Sequence, residues 1–363
     1  MIRFIHAADL HLDSAFVALD GEEARLRRRE LRALPDALAD LALAEKVDVV
    51  LLSGDLFDGA EIYPETIERL RGALERMACP VFIAPGNHDP YTVASPYMRE
   101  TWPANVHIFR TDALTSVELK ELGCVIHGAA FTAGDREDAV LEGFSAPADG
   151  LIHIMCLHGN VGDTQGRYGP ITREQIACSG ADYLALGHVH RCSGLNREGA
   201  VFWAYPGCPA GRGFDELGDK GALLGTVEKG RVEVTFVPLS RHRYHILRLD
   251  VTGTDPRRAL DAALRPEMAG DLCRVIFTGE TGEQGIDLRA LETEFADRAG
   301  GLQLRDETRV SRNLWERAGE ESLRGLFLQL LRERYDAAGD GEKEKIARAV
   351  RFGLAALDGR DLG

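Results

Sequence analysis

The chain has 363 residues, 45% of them hydrophobic and 28% charged, with a formal net charge of −15. That length suits two or three domains with a sizeable core, the composition excludes disorder and fibrous architecture, and no apolar run is long enough to span a bilayer, so no membrane association is expected. Residues 1–240 carry 22 Lys and Arg against 35 Asp and Glu, whereas residues 241–363 carry 21 against 23, so broad attraction to nucleic acid is disfavoured and any DNA must be met by local basic patches or by a partner.

Residues 1–6 lead directly into a strand and lack the basic, apolar and small-residue succession of a signal peptide, which makes the cytoplasm the expected compartment. Residues 3–8 read as a short apolar strand, and about 22–45 as a charged helix. The run VDVVLLS over 47–53 reads as a strand buried on both faces. Residues 64–77 form the next helix, with Pro64 suited to its first turn, and PVFIA over 80–84 is a third strand. Alternating strands and helices imply a mostly parallel sheet with helices packed on it.

After an irregular middle, residues 151–157, 181–186 and 201–205 read as further strands, and 221–238 as a hairpin turning at Lys229 and Gly230. An α/β layered domain is expected over 1–240. A strand near 245–251, a helix near 256–264, a strand near 272–279, a helix near 287–299 and a strand near 302–305 make a small α+β domain over 241–310. Residues 311–363 are a helical tail, rich in charge from about 320 to 357. The seven cysteines are odd in number and scattered without a CxxC pair, against both a disulfide framework and a thiolate zinc site.

The informative polar residues stand where strands end. Asp9 and His11 follow the first, Gly54-Asp55-Leu56-Phe57-Asp58 the second, and Gly86-Asn87-His88-Asp89 the third; His158-Gly159 and Gly187-His188-Val189-His190 follow two later ones. Open α/β sheets place their sites at the carboxyl ends of strands. Imidazole and carboxylate without thiolate suit a pair of divalent cations such as manganese, iron or zinc better than calcium. In Asp9/His11 and His188/His190, alternate residues of an extended segment share a face, so each pair can clasp one ion. The two oxygens of Asp55 can bridge two. Gly54, Gly86, Gly159 and Gly187 beside these residues permit close backbone approach. His107, His127 and His153 stand outside the motifs and read as surface or core histidines.

These motifs give residues 1–210 the signature D-x-H, G-D-x-x-D, G-N-H-D, H, G-H-x-H, and the chain resembles the calcineurin-like metallophosphoesterases. The resemblance implies a layered sandwich of sheets flanked by helices. It also implies one metal held by Asp9, His11, Asp55 and His190, another by Asp55, Asn87, His158 and His188, and His88 as general acid or transition-state stabiliser. Asp89, next in sequence, is the candidate to orient His88.

A finer resemblance lies in Gly54-Asp55-Leu56-Phe57-Asp58 and in Tyr205-Pro206-Gly207 continuing through Gly211-Arg212-Gly213-Phe214-Asp215-Glu216 to Lys220-Gly221, which are similar to bacterial SbcD/YhaO-type DNA-repair nucleases. It implies DNA as substrate, manganese with iron, zinc or magnesium as alternatives, a capping domain, and a tail that binds the coiled-coil root of an SbcC- or YhaN-like ATPase. It also implies a homodimer through residues 91–102. At Asp58, archaeal and eukaryotic relatives carry a histidine, so no histidine role transfers there.

Arg212 and Arg167, near the site loops, are candidate substrate contacts of the kind that position a phosphate chain without reading its sequence. The run Arg25, Arg27, Arg28, Arg29 and Arg32 is either a phosphate patch or a solvated face pairing with Glu22, Glu23 and Glu30. Two other functions stay open: a small-molecule phosphodiesterase or phosphatase, consistent with the acidic first part, and a catalytically silent scaffold. The scaffold would lack a ligand or the acid, and none is missing.

Overall fold

Strand β1 (Ile2–Ala7) sorts its side chains by parity: Ile2 and Phe4 join one apolar cluster, Ile5 and Ala7 another, because successive strand residues point to opposite faces. The computed structural model describes residues 1–16, 21–59, 61–162, 166–282, 285–310, 315 and 317–357. It divides into two compact units, Met1–Arg241 and His242–Gly363.

In the first unit, β1 is followed by α1 (Gly21–Glu45), β2 (Val49–Leu52), α2 (Pro64–Arg76), β3 (Val81–Ile83), the single turn α3 (Pro96–Arg99) and β4 (Val106–Ile108). Then come β5 (Thr115–Leu119), β6 (Cys124–Gly128), β7 (Ile152–His158), the short pair β8 (Asn160–Val161) and β9 (Pro170–Ile171), and α4 (Arg173–Cys178). β10 (Tyr183–Gly187), β11 (Asn196–Glu198), β12 (Val201–Ala204) and the hairpin β13 (Gly221–Glu228) and β14 (Arg231–Pro238) complete the unit.

The strands form two mixed six-stranded sheets, ordered β14-β13-β1-β2-β3-β4 and β11-β12-β10-β7-β6-β5. β1 to β4 run parallel, as crossovers through α1 and α2 require, while β13 returns antiparallel beside β1. The stretch read as irregular therefore holds β4, β5 and β6. β5 escaped notice because it is an edge strand whose Thr115, Ser116 and Glu118 are exposed, leaving little apolar pattern to read.

Three apolar layers result. Leu31, Leu38, Ile67, Leu70 and Leu74 of the helices cover Ile5, Val50 and Leu52. Phe4, Leu51, Phe82, Ile126, Ile154 and Tyr183 fill the space between the sheets. Met155, Leu157, Leu184 and Trp203 pack with Ile176 on the far face of the second sheet. Each such buried side chain contributes on the order of 1.5–3 kcal/mol. His6 Nδ1 meets the Tyr183 hydroxyl at 2.9 Å and ties the two sheets by a polar contact.

In the second unit, β15 (Tyr244–Asp250), β16 (Leu272–Thr278) and β18 (Gly301–Asp306) form a parallel sheet, with α5 (Pro256–Ala263) and α6 (Leu288–Phe295) between them and the short β17 (Glu280–Thr281) and β19 (Arg309–Val310) paired at the side. Asp255 and Asp287 cap α5 and α6 by accepting backbone N–H bonds, which satisfies first-turn donors. Helices Leu323–Ala337 and Asp340–Leu357 pack through Leu328, Val350 and Leu354. Residues 311–314, 316 and 358–363 of the expected tail lie outside the described residues. Among the described residues no helix is long and apolar enough to cross a membrane.

Candidate metal centre

Strands β1, β2 and β3 of the first sheet and β7 and β10 of the second end close together, and backbone bonds lock their exit loops. Asp9 N–H donates to Gly54 O at 3.0 Å, His11 N–H to Asp55 O at 3.0 Å, and Gly159 N–H to Gly187 O at 3.2 Å. His188 N–H donates to Asp9 Oδ1 at 3.0 Å and joins the sheets. A Cβ at Gly54, where φ is +88°, would overlap the His158 ring, and one at Gly187 would overlap the Ser53 carbonyl. Asp9, His11, Asp55 and His188 themselves have φ of +55°, +44°, +51° and +105°. Non-glycine residues in this region are strained, and such strain gathers at functional sites.

The structure brings all seven predicted ligand residues together. His11 Nε2 lies 3.1 Å from His190 Nε2 and 3.8 Å from Asp55 Oδ2, and His190 Nε2 is 3.9 Å from Asp9 Oδ1. On the other side, Asn87 Oδ1 is 3.0 Å from His158 Nε2 and 3.2 Å from His188 Nδ1, and His158 Nε2 is 3.5 Å from Asp55 Oδ2. Asp55 touches both groups. The expectation that His188 and His190 clasp one ion is corrected: His188 faces Asn87 while His190 faces His11, because the left-handed backbone at His188 breaks the extended alternation on which a shared face depends.

The donor set fits divalent cations. Asp9 and Asp55 are each 1% exposed. Burial and the Asp55 charge push the Asp9 carboxyl well up, whereas Asp55, despite its burial, is held down by His158 and His11. Burial lowers His11 and His158, and takes His188 down to about 4, which keeps the imidazoles neutral as ligation requires. Buried carboxylates and neutral imidazoles converging within 4.8 Å form a donor set that could hold divalent cations.

His88 sits at the open side of this cluster, its side chain 48% exposed, with Nδ1 3.0 Å from Asp58 Oδ1. Asp58 also meets His11 Nδ1 at 3.2 Å and accepts from the Ser14 hydroxyl at 2.8 Å. The Asp58 hydrogen bond raises His88, and the two histidines hold Asp58 far below the usual carboxylate range. The expectation that Asp89 orients His88 is thus corrected. Asp89 points into the core of the loops, accepting from the N–H groups of Gly86 at 2.7 Å, Asp55 at 3.2 Å, Leu56 at 2.7 Å and Phe57 at 3.1 Å, and from the Tyr97 hydroxyl at 2.5 Å. Burial and Asp55 push its carboxyl up to about 7 against these donors.

The two predicted substrate arginines differ. Arg212 lies at the site: Nη2 bonds Glu216 Oε1 at 3.1 Å and Nη1 is 3.8 Å from Asp58 Oδ1. Arg167 is exposed and pairs with Asp135. Its neighbour Tyr168, missed in the sequence, is 43% exposed with its ring 5.2 Å from that of His188. In the arginine run, Arg27 pairs with Glu30 and Arg32 with Asp13 and Glu65, and both arginine side chains are only 11% exposed, so these two are packed ion pairs rather than a solvated face; the side chains of Glu22 and Glu23 lie outside the described set.

A family profile described as calcineurin-like phosphoesterase matches residues 2–192. The chain is 29% identical over 344 residues to YhaO of Bacillus subtilis, described as an uncharacterized metallophosphoesterase, covering 86% of this chain and 83% of that one. It is 24% identical over 243 residues to the DNA double-strand break repair protein Mre11 of Aeropyrum pernix, covering 62% and 57%. Over 263 residues it is 24% identical to one component of the nuclease SbcCD of Bacillus subtilis, covering 60% and 64%. The chain thus spans less than two thirds of the latter two.

Proposed function

The chain belongs to the calcineurin-like phosphoesterase family, and on that premise we propose that it is a two-metal nuclease that hydrolyses DNA phosphodiesters as part of a repair complex. The observation that carries this reading is the convergence of seven nitrogen and oxygen donors in two groups sharing Asp55, with His88 beside them. Asp9, His11, Asp55 and His190 would hold one ion, and Asp55, Asn87, His158 and His188 the other; manganese is the proposed metal, with iron, zinc and magnesium as alternatives. When bound, the two cations supply the Lewis-acid charge that activates a water and neutralises phosphoryl oxygens.

The chain's own residues do the rest. His88, held at Nδ1 by Asp58, keeps its other ring nitrogen for the leaving oxygen and supplies the proton that departure needs. Arg212 brings positive charge beside Asp58, suited to a phosphate of the bound strand, and Arg167 offers a second such contact at the rim. Exposed Tyr168 presents a ring on which an unpaired base stacks.

DNA as the substrate is supported by the likeness to relatives described as a repair protein and a nuclease component. We further propose a complex with an SbcC- or YhaN-like coiled-coil ATPase docking on residues 319–357, a homodimer through residues 91–102 and a cytoplasmic location; of these, the likeness to a subunit of SbcCD bears on the ATPase partner alone. Leu323, Leu326 and Leu330 are exposed on helix Leu323–Ala337, at the spacing with which a helix meets a partner. Residues 241–310 are proposed as the cap.

A small-molecule phosphodiesterase is the second reading, favoured by the acidic balance of residues 1–240. The deciding assay offers the metal-loaded chain single- and double-stranded DNA, with and without the ATPase, and cyclic nucleotides and phosphomonoesters in parallel. Intact DNA in every arm sinks the nuclease; turnover of the small esters alone establishes the alternative.

A further inference from the structure

The segment from Tyr205 to Lys220 wraps one residue, His190. The His190 carbonyl oxygen accepts from Cys208 N–H at 3.3 Å and from Lys220 Nζ at 2.9 Å. At the other end of the residue, ring Nδ1 lies 2.7 Å from Glu216 Oε1. Glu216 also accepts from Arg212 N–H at 2.7 Å and from Arg212 Nη2 at 3.1 Å. Arg212 Nη1 then stands 3.8 Å from Asp58, the carboxylate that holds His88. Gly207 has φ of +77°, and a Cβ there would sit 2.9 Å from the His190 carbonyl, so the wrap closes only around glycine. Glu216 and Lys220 are each 6% exposed, a depth at which charged side chains persist when paired.

We propose that Glu216 is a positioning residue that fixes His190 as a metal ligand and, through Arg212, couples that ligand to the Asp58–His88 pair. An acceptor at Nδ1 places the ring proton there and leaves the Nε2 lone pair for the cation. The same carboxylate anchors Arg212 by its backbone and its guanidinium, and so sets the charge that faces Asp58. His190, Cys208 and Glu216 also lie close enough to resemble a third metal site. Their donors are already engaged within the protein: Glu216 takes the His190 ring and Arg212, and Lys220 donates to the His190 carbonyl.

The inference rests on the two-metal reading, and the test separates the two. Manganese binding to the metal-stripped full chain is titrated by calorimetry for the unchanged protein, Glu216→Ala, Glu216→Gln and the double variant Glu216→Gln with Arg212→Met, and kcat and KM are measured at saturating manganese on bis(p-nitrophenyl) phosphate. Glu216→Ala is expected to weaken one of two manganese sites by about 10- to 100-fold and leave the other within about threefold. Glu216→Gln, which keeps an acceptor for Nδ1–H, restores most of that affinity yet lowers kcat, because its neutral amide no longer anchors Arg212. Should Glu216→Ala fail to fold, the double variant carries the test, since it leaves no unpaired arginine; it is expected to bind manganese as Glu216→Gln does. Manganese affinity unchanged at both sites in Glu216→Ala, or no recovery in the two glutamine proteins, overturns the inference. Fewer than two manganese ions on the unchanged chain overturns the metal reading itself.

Discussion

In the proposed mechanism the chemistry at His88 turns on one ring nitrogen. Because Nδ1 is held by Asp58, the other nitrogen would deliver the proton, and its loss would remove general-acid catalysis without removing a proposed ligand. His88→Ala should therefore lower kcat by about 10²- to 10⁴-fold while metal content, read by elemental analysis, stays at two ions per chain. Asp58→Asn should cost about 10- to 100-fold, and because Asp58 also bonds His11, the double variant should exceed the loss of His88→Ala alone only by the part that acts through that ligand. Additive losses would refute that pairing. The sequence exposed His88 through its place beside Asn87, but not its partner. Asp89 is its chain neighbour and Asp58 is thirty positions away, and only the fold decides which carboxylate reaches the ring.

The loops after β2 and β3 act as one element, pinned by Asp89. Its carboxylate serves four backbone N–H groups of both loops and the Tyr97 hydroxyl, so removal strands several buried donors at once. Asp89→Ala is expected to destabilise the protein by about 3 kcal/mol or more, read by urea unfolding; a loss under 1 kcal/mol would show that the loops hold without it. The strands themselves were largely legible, since β2, β7 and β10 are apolar runs buried along their length. β4 and β5 were not, because short strands with half-exposed faces carry too little periodicity, and β6, though buried, is a five-residue run broken by His127 and Gly128. The turn at His188 was also hidden: its φ of +105° accompanies an N–H bond to Asp9 across the two sheets, a contact no local pattern announces.

Across the whole first unit, two buried histidines outside the metal cluster make stability depend on pH. Burial takes His6 down to about 3, and burial with the neighbouring His153 ring takes His127 down to about 4. Unfolded histidines titrate near 6.5, so between that pH and the folded values the unfolded state binds more protons and stability falls as pH falls. At pH 5 each histidine should cost about 2 kcal/mol relative to pH above 7.5. Urea unfolding at pH 7.5 and pH 5 is expected to show a smaller acid loss in His127→Asn than in the unchanged chain; equal losses would show that His127 is protonated in the fold. His127 and His153, set apart from the motifs in the sequence, are core groups joined at 2.9 Å in a chain that runs from Ser116 to Asp149.

What the sequence determined by itself is local: apolar runs that must be buried, polar motifs at their ends, glycines where the backbone crowds, and a donor chemistry of imidazole, carboxylate and amide. Those are properties of residue type and short spacing, and they suffice for the layered α/β class and the family. The tertiary structure decided which strands pair, that two mixed sheets rather than one carry the site, that His188 and His190 face different donors, and that Asp58 and Glu216 rather than Asp89 stand behind the histidines. Each of these is a contact between residues far apart in the chain, fixed by how two sheets pack against each other, and spacing along a sequence carries no record of that packing.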